Sequence, residues 1–286
     1  MSQQSQDLSL TEQLAFSTVQ IQVQVELKKD FFTGTGFFFT FFDEGQQRVP
    51  VIVTNKHVIS GAKKGGFILS SANVDGSPNI TSHIPVILDA FESRWILHPD
   101  TNIDLAIMPI APLLNEAKLK GFTPFYRSIN KSVIPNSDQL KELTAVEDIL
   151  MVGYPTGISD KTNNYPIFRK GITATHPANK YEGRDEFMID AACFPGSSGS
   201  PVFLLNVGNY VTKKGDTIIG STRFMFLGIL YAGPQYSATG EIKIVTIPER
   251  QDTQAQTRMP INLGNVIRSS KLLDFEPVLK TLINQK

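Results

Sequence analysis

Phe194-Pro195-Gly196-Ser197-Ser198-Gly199-Ser200-Pro201-Val202 is the stretch on which the reading of this chain turns. Two glycines bracket a pair of serines, and a proline then opens an apolar run. Glycine permits a tight turn and a close backbone approach. A serine nucleophile needs such a turn, with backbone N–H groups aimed where an oxyanion develops. The same composition also describes a surface loop, because Gly, Ser and Pro dominate turns. The flanking segments have to decide between the two.

Working outward, short β-like runs fill both sides. Upstream, Val19, Ile21, Val23 and Val25 alternate with Gln20, Gln22, Gln24 and Glu26, the pattern of a strand with one buried face. The phenylalanine-rich run Phe37–Phe42 predicts a strand buried on both faces, with core packing favoured over a ligand-stacking platform. Pro50–Thr54 is β-rich. Further runs occur at Phe67–Ser70, Ile84–Leu88, Trp95–His98, Asp104–Ile110, Ile149–Gly153, Ile167–Thr175, Phe187–Ala191, Pro201–Leu205, Phe224–Tyr231 and Ile242–Ile247. Gly, Pro, Asn or Asp punctuate them, which predicts an all-β barrel or sandwich. Helical spacing is expected near Leu113–Lys120 and again in the tail from Val266 to Ile283. Residues 1–16 are polar and read as a loose or lightly docked arm.

Composition bounds the function. The chain has 286 residues with 41% hydrophobic and 19% charged, which is globular rather than disordered. Lys+Arg and Asp+Glu are both 27, so there is no broad basic field for nucleic acid. Cys193 is the single cysteine, so no internal disulfide frames the fold. The N-terminus has no basic and apolar signal pattern, and no run of about 18 apolar residues predicts a membrane span. These features predict a cytoplasmic protein with no membrane or nucleic-acid partner. Four histidines without a His-x-x-His or Cys-x-x-Cys spacing predict no metal site. His83, His98 and His176 sit beside prolines or polar turns and read as surface residues.

Two further segments carry chemistry. Val51–Thr54 delivers His57 at the end of a strand, where imidazole can serve as a general base or simply satisfy a local hydrogen bond. Asp104 opens the apolar run Leu105–Met108, either as a cap or as the acceptor that orients a histidine. His57, Asp104 and Ser198 thus follow in that order, each at the end of a β-run. The α/β-hydrolase layout, which runs Ser, Asp, His with Gly-x-Ser-x-Gly, and the subtilisin layout, which runs Asp, His, Ser, fit this order poorly.

On these residues the chain resembles the trypsin/chymotrypsin-like serine peptidases, in style their disulfide-free bacterial, Deg-like branch. Gly34-Thr35-Gly36-Phe37 resembles the Gly-x-Gly-Phe ahead of the histidine strand, and Thr54-Asn55-Lys56-His57-Val58 resembles Thr-x-x-His-Val. Asp104-Leu105-Ala106 resembles Asp-Leu-Ala, and Gly196–Pro201 resembles Gly-Asn/Asp-Ser-Gly-Gly/Ser-Pro. The resemblance is expected to be to a branch without a PDZ domain.

The resemblance implies a chymotrypsin-like fold of two six-stranded antiparallel β-barrels with a C-terminal helix. Residues 1–16 would form the arm and 17–262 the peptidase domain, with barrels at about 17–115 and 140–250; 263–286 would be helical. It implies a serine endopeptidase without a cofactor, acting on polypeptides. Ser198 would be nucleophile, His57 general base and acid, Asp104 its orienter, and the N–H groups of Gly196 and Ser198 the oxyanion hole. It places Ala192 on the floor of the specificity pocket, Cys193 beside it, and Tyr231-Ala232-Gly233 along a wall, implying a small or medium apolar residue before the scissile bond. Ser197 stands where many relatives carry an Asp that pairs with a new N-terminus, so activation by N-terminal insertion is not expected. The alternative is a protease-like binding module, non-hydrolytic or activated by a regulatory partner.

Overall fold

Alternating aliphatics and glutamines make a pleated strand, because successive side chains point to opposite faces. In the computed structural model, which describes residues 8–25, 31–43, 47–242, 253–260 and 262–285, this strand is β1 (Thr18–Val25). It buries Val19, Ile21 and Val23. Just before it, α1 (Leu10–Ala15) is closed by a capping box, with Ser9 and Glu12 satisfying each other's backbone N–H groups. Leu14, Ala15 and Phe16 are buried, and Phe16 meets Phe125 edge-on at 4.8 Å. Residues 10–16 are therefore docked, since their apolar side chains have a core to enter.

The first half continues with β2 (Phe31–Phe41), β3 (Val49–Thr54), α2 (Lys56–Ile59), β4 (Ala62–Ala72), β5 (Pro78–Asp89), β6 (Ile96–Leu97) and β7 (Ala106–Pro109). Then come α3 (Ala111–Leu119), β8 (Pro124–Phe125) and β9 (Ile129–Asn130). These strands form a nine-stranded sheet in the order β5-β4-β1-β2-β3-β7-β6, with β8 on β4 and β9 on β2. Among the described residues β5 and β6, at the two ends of this large sheet, do not pair. Pro78 and Pro85 deprive β5 of ladder donors, and β6 is two residues long, which suits both to an edge.

The second half contains α4 (Ser137–Lys141), β10 (Asp148–Gly153), β11 (Ile167–Thr173), β12 (Glu186–Asp190), β13 (Pro201–Asn206), β14 (Asn209–Val211), β15 (Thr217–Ile219) and β16 (Arg223–Ala232). It ends with β17 (Gln235–Ile242), β18 (Thr253–Pro260), β19 (Leu263–Arg268) and α5 (Glu276–Asn284). Six strands close as a barrel, β10-β11-β12-β19-β16-β13, while β14-β15 and β17-β18 form separate hairpins. Of the run expected at Ile242–Ile247, residues 243–247 lie outside the described residues.

β19 corrects the expected helical tail. Leu263–Arg268 closes the barrel between β12 and β16, and a 3-10 segment (Ser269–Phe275) and α5 follow it. Val266 and Ile267 point to opposite faces and are both buried, so neighbouring apolar residues here mark a two-sided strand.

β2 is likewise buried on both faces. Phe38 enters the core of the first sheet with Ile21, Ile52 and Trp95. Phe37, Phe39 and Phe41 face the other way, into a cluster shared with Phe203, Phe226, Ile229 and Phe275 of the second half. Phe37 and Phe226 meet T-shaped at 5.4 Å. The two halves are thus joined by hydrophobic core, and chain segments at their junction are held in register with each other.

Candidate active site

β3 ends at Thr54, and Asn55 turns the chain into α2, which carries His57. The loop before β7 carries Asp104. Both Asp104 oxygens are used by one residue: Oδ2 lies 2.5 Å from His57 Nδ1, and Oδ1 accepts the His57 backbone N–H at 3.1 Å. This places the ring proton on Nδ1 and leaves Nε2 with no partner among the described residues. Asn55, fully buried, donates its amide to the Asp104 carbonyl at 2.7 Å, and Lys56 Nζ donates to the Asp100 carbonyl at 3.0 Å. The Lys56 pKa is lowered, chiefly by desolvation, against the pull of Asp104 and Asp100.

The same loop is anchored from behind. His98, read as a surface residue, is 3% exposed. Its Nε2 donates to the Lys271 carbonyl at 3.0 Å and its Nδ1 accepts from the Asp100 N–H at 3.1 Å, tying the loop to the 3-10 segment after β19. The adjacent Pro99 suggested a surface turn; the chain's C-terminal segment covers it.

Ser198 lies in the turn before β13. Gly196 and Gly199 have φ of +84° and +89°. A Cβ at Gly199 would run into the Thr35 carbonyl, and one at Gly196 into the Tyr154 carbonyl, so both sites need glycine for conformation and for space. The amides of Phe194, Ser197, Gly199 and Ser200 are donated to Ser197 Oγ and to the carbonyls of Phe194, Leu230 and Ser197. Among the described residues those of Gly196 and Ser198 have no acceptor. Ser198 Oγ donates to the Tyr231 carbonyl at 3.4 Å, and no hydrogen bond joins it to His57.

Thr35 of β2 couples the halves. Its N–H donates to the Ser198 carbonyl at 2.8 Å and its hydroxyl to the Gly196 carbonyl at 3.0 Å. The hydroxyl also accepts the Tyr154 N–H at 3.1 Å, and the Thr35 carbonyl accepts from Thr54 Oγ1 at 2.7 Å. Thr54 directly precedes the Asn55–His57 turn. The Gly153–Gly157 stretch packs on the Ser198 turn, with the Thr156 N–H on the Pro195 carbonyl at 2.5 Å.

Of the expected pocket residues, Cys193 lies beside Gly264. A Cβ there would meet Leu230 at 2.5 Å, Cys193 Sγ at 2.6 Å and Ile189 at 3.3 Å. Burial pushes the Cys193 thiol up to about 11, against the opposing pull of Arg169. The Ala192 carbonyl accepts from Arg169 Nη1 at 2.7 Å. Tyr231 turns its hydroxyl away to Glu186 at 2.9 Å, so its carbonyl rather than its ring meets Ser198. Ala232 pairs with Asn265, and the space beside Gly233 is taken by the Leu263 carbonyl. Asn55, Arg169 and Gly264 carry no signal in sequence; each is identified by what the fold sets against it. A cavity of about 610 Å³ lies elsewhere, on β1, β4 and β5, and includes none of His57, Asp104 or Ser198. Among the described residues no group of three or more His, Cys, Asp or Glu is arranged to hold a metal ion, and no helix is long and apolar enough to cross a membrane.

The trypsin-like peptidase domain family matches residues 34–211. No match was found among curated proteins. Among solved structures, the HtrA-type protease AlgW with tripeptide is similar at 18% identity and TM-score 0.47, over 93% of this chain and 60% of that chain. The chain thus spans 60% of the AlgW length. The Rv3671c protease from M. tuberculosis in its active form is 15% identical with TM-score 0.45, over 91% of this chain and 78% of that chain. Tobacco etch virus protease complexed with product is 13% identical with TM-score 0.41, over 77% of this chain and 69% of that chain. On the match across residues 34–211, this chain belongs to the trypsin-like serine peptidase family.

Proposed function

We propose that this chain is an endopeptidase that cleaves polypeptides through an acyl-enzyme. Ser198 Oγ attacks the scissile carbonyl while His57 Nε2 takes its proton. His57 then returns that proton to the leaving amine, and water repeats the cycle on the ester. Asp104 holds the ring and stabilises the imidazolium. The N–H groups of Gly196 and Ser198 receive the oxyanion. The observation that carries this reading is the two-bond clamp of Asp104 on His57, which orients Nε2 outward. Side chains and backbone of this chain supply every group in the scheme.

For the pocket, Ala192 serves as floor, Cys193 and Gly264 as its lower wall, and Tyr231-Ala232-Gly233 as the strand beside the substrate. The closeness of Leu230 and Cys193 to Gly264 supports a small or medium apolar residue before the scissile bond. A peptide-library profile dominated by Arg or Lys there defeats that preference. The lone thiol supports a reducing, cytoplasmic compartment.

A fluorophosphonate probe tests the enzyme. Labelling of the wild type that is lost in Ser198→Ala supports it. One observation favours the second reading, a module activated by a partner or not hydrolytic: Ser198 Oγ bonds the Tyr231 carbonyl and not His57. Labelling that appears only after a regulatory protein is added supports activation, and none under any condition supports a binding module.

A further inference from the structure

The peptide turn that carries Ser198 is held from beneath by a cation. β11 runs beside β10 and sets Arg169 opposite Met151. Its Nη1 donates to the Ala192 carbonyl and to Ser197 Oγ, both at 2.7 Å. Ser197 Oγ in turn accepts the Phe194 N–H at 3.3 Å. One guanidinium nitrogen therefore grips both ends of the segment 192–197, immediately before the nucleophile. Ser197, at 1% exposure, faces inward to meet it.

This arrangement is costly for a purely structural contact. Arg169 Nε and Nη2 are buried with no hydrogen-bond partner, and among the described residues no carboxylate pairs with the guanidinium. Burial without a counter-ion draws its pKa down to about 10, which leaves it charged near neutrality. An apolar residue in the same strand position would avoid that desolvation. What the charge supplies is a strong, directional grip on two acceptors. It also places a positive charge behind a turn whose Gly196 and Ser198 amides have no acceptor among the described residues.

We propose that Arg169 is the positioning residue of the nucleophile turn, holding Ala192 and Ser197 so that the amides of Gly196 and Ser198 stay aimed at one point. The turn is then set by an internal cation already present in the chain. The proposal rests on the endopeptidase reading for its catalytic consequence, while its structural half stands apart from activity.

The test uses the full chain with Arg169→Met, Arg169→Lys and Ser197→Ala. Hydrogen–deuterium exchange of segment 192–200 is compared with that of β2 and β16. Steady-state hydrolysis of a peptide ester is measured in parallel. Arg169→Met is expected to speed exchange in 192–200 by about tenfold or more, leaving β2 and β16 protected. It should lower kcat by about 10²-fold, the scale of losing one oxyanion donor, with KM changed less than about threefold. Arg169→Lys should recover part of kcat, and millimolar guanidinium should rescue Arg169→Met but not Ser198→Ala. If Arg169→Met does not fold, Ser197→Ala, which removes one of the two acceptors, carries the same exchange test. Unchanged exchange in 192–200 overturns the proposal, as does a kcat within about threefold of wild type. A wild type that neither hydrolyses nor labels defeats the peptidase reading instead, and the exchange result still decides the clamp.

Discussion

Thr35 donates its backbone N–H to the Ser198 carbonyl at 2.8 Å, so a strand of the first half holds the Ser198 turn of the second. The same residue bonds the Gly196 carbonyl and the Tyr154 N–H through its hydroxyl. Its carbonyl accepts from Thr54, three residues before His57. A single fully buried threonine thus relates the two halves of the candidate triad.

Thr35→Val keeps the shape of the side chain and deletes the hydroxyl. It leaves the part-buried Gly196 carbonyl and the buried Tyr154 N–H without that partner, at a cost of about 1–3 kcal/mol. Chemical denaturation measures that loss. The rate of peptide hydrolysis should fall more than the folded fraction does, because the turn is displaced in molecules that remain folded. A rate that tracks the folded fraction would limit Thr35 to stability.

Asp104→Asn keeps an acceptor of the same size and removes the charge. The amide can present its N–H₂ to Nδ1 and so favour the tautomer that carries its proton on Nε2, the wrong nitrogen for a base. Turnover is expected to drop on the order of 10⁴-fold, the scale seen for this change in other triads. Single-turnover kinetics with a peptide ester reads it. Turnover within tenfold of wild type removes Asp104 from the proposed mechanism.

Phe37→Ala opens a cavity in the cluster between the halves, where Phe37 is fully buried against Phe226. Truncating a buried phenylalanine costs about 3–5 kcal/mol. Urea denaturation should show a lower midpoint with an unchanged slope. A shift smaller than about 1 kcal/mol means that the halves hold together without this contact.

Cys193 titrates late. Burial disfavours its thiolate and raises the pKa from 9.0 to about 11. At pH 8 the folded protein then carries about 100-fold less thiolate than an ordinary cysteine, and thiolate is the reactive form. Iodoacetamide should react slowly at pH 8 and quickly after unfolding. The folded state keeps this proton where the unfolded state loses it. The thiol's contribution to stability is therefore present below pH 9 and lost as pH rises toward 11. Equal alkylation rates in folded and unfolded protein at pH 8 contradict the burial argument.

Periodicity and punctuation carry far in this chain. Period-two alternation yields β1, a two-sided aromatic run yields β2, and the Gly-Ser-Ser-Gly stretch is recognisable as a turn from its composition. The order of His57, Asp104 and Ser198 is likewise legible, since each lies beside a β-run: His57 in the short helix after β3, Asp104 ahead of β7 and Ser198 ahead of β13. Helical spacing misled at Val266 and Ile267, because a strand buried on both faces also places apolar residues side by side. His98 misled because a histidine beside proline reads as a turn until something covers it.

The sequence by itself therefore determined the all-β class, the chain order of the three chemistry-bearing residues beside β-runs and the presence of a glycine-bracketed turn around Ser198. All of these follow from local rules: pleat period, turn chemistry and backbone freedom. Tertiary structure alone decided that Thr35 bonds Ser198, that Asn55 holds the Asp104 carbonyl and that Arg169 grips Ala192 and Ser197. Each such contact joins residues far apart in the chain. Their pairing depends on which strands become neighbours, and that is set by burial of the shared core rather than by any local pattern.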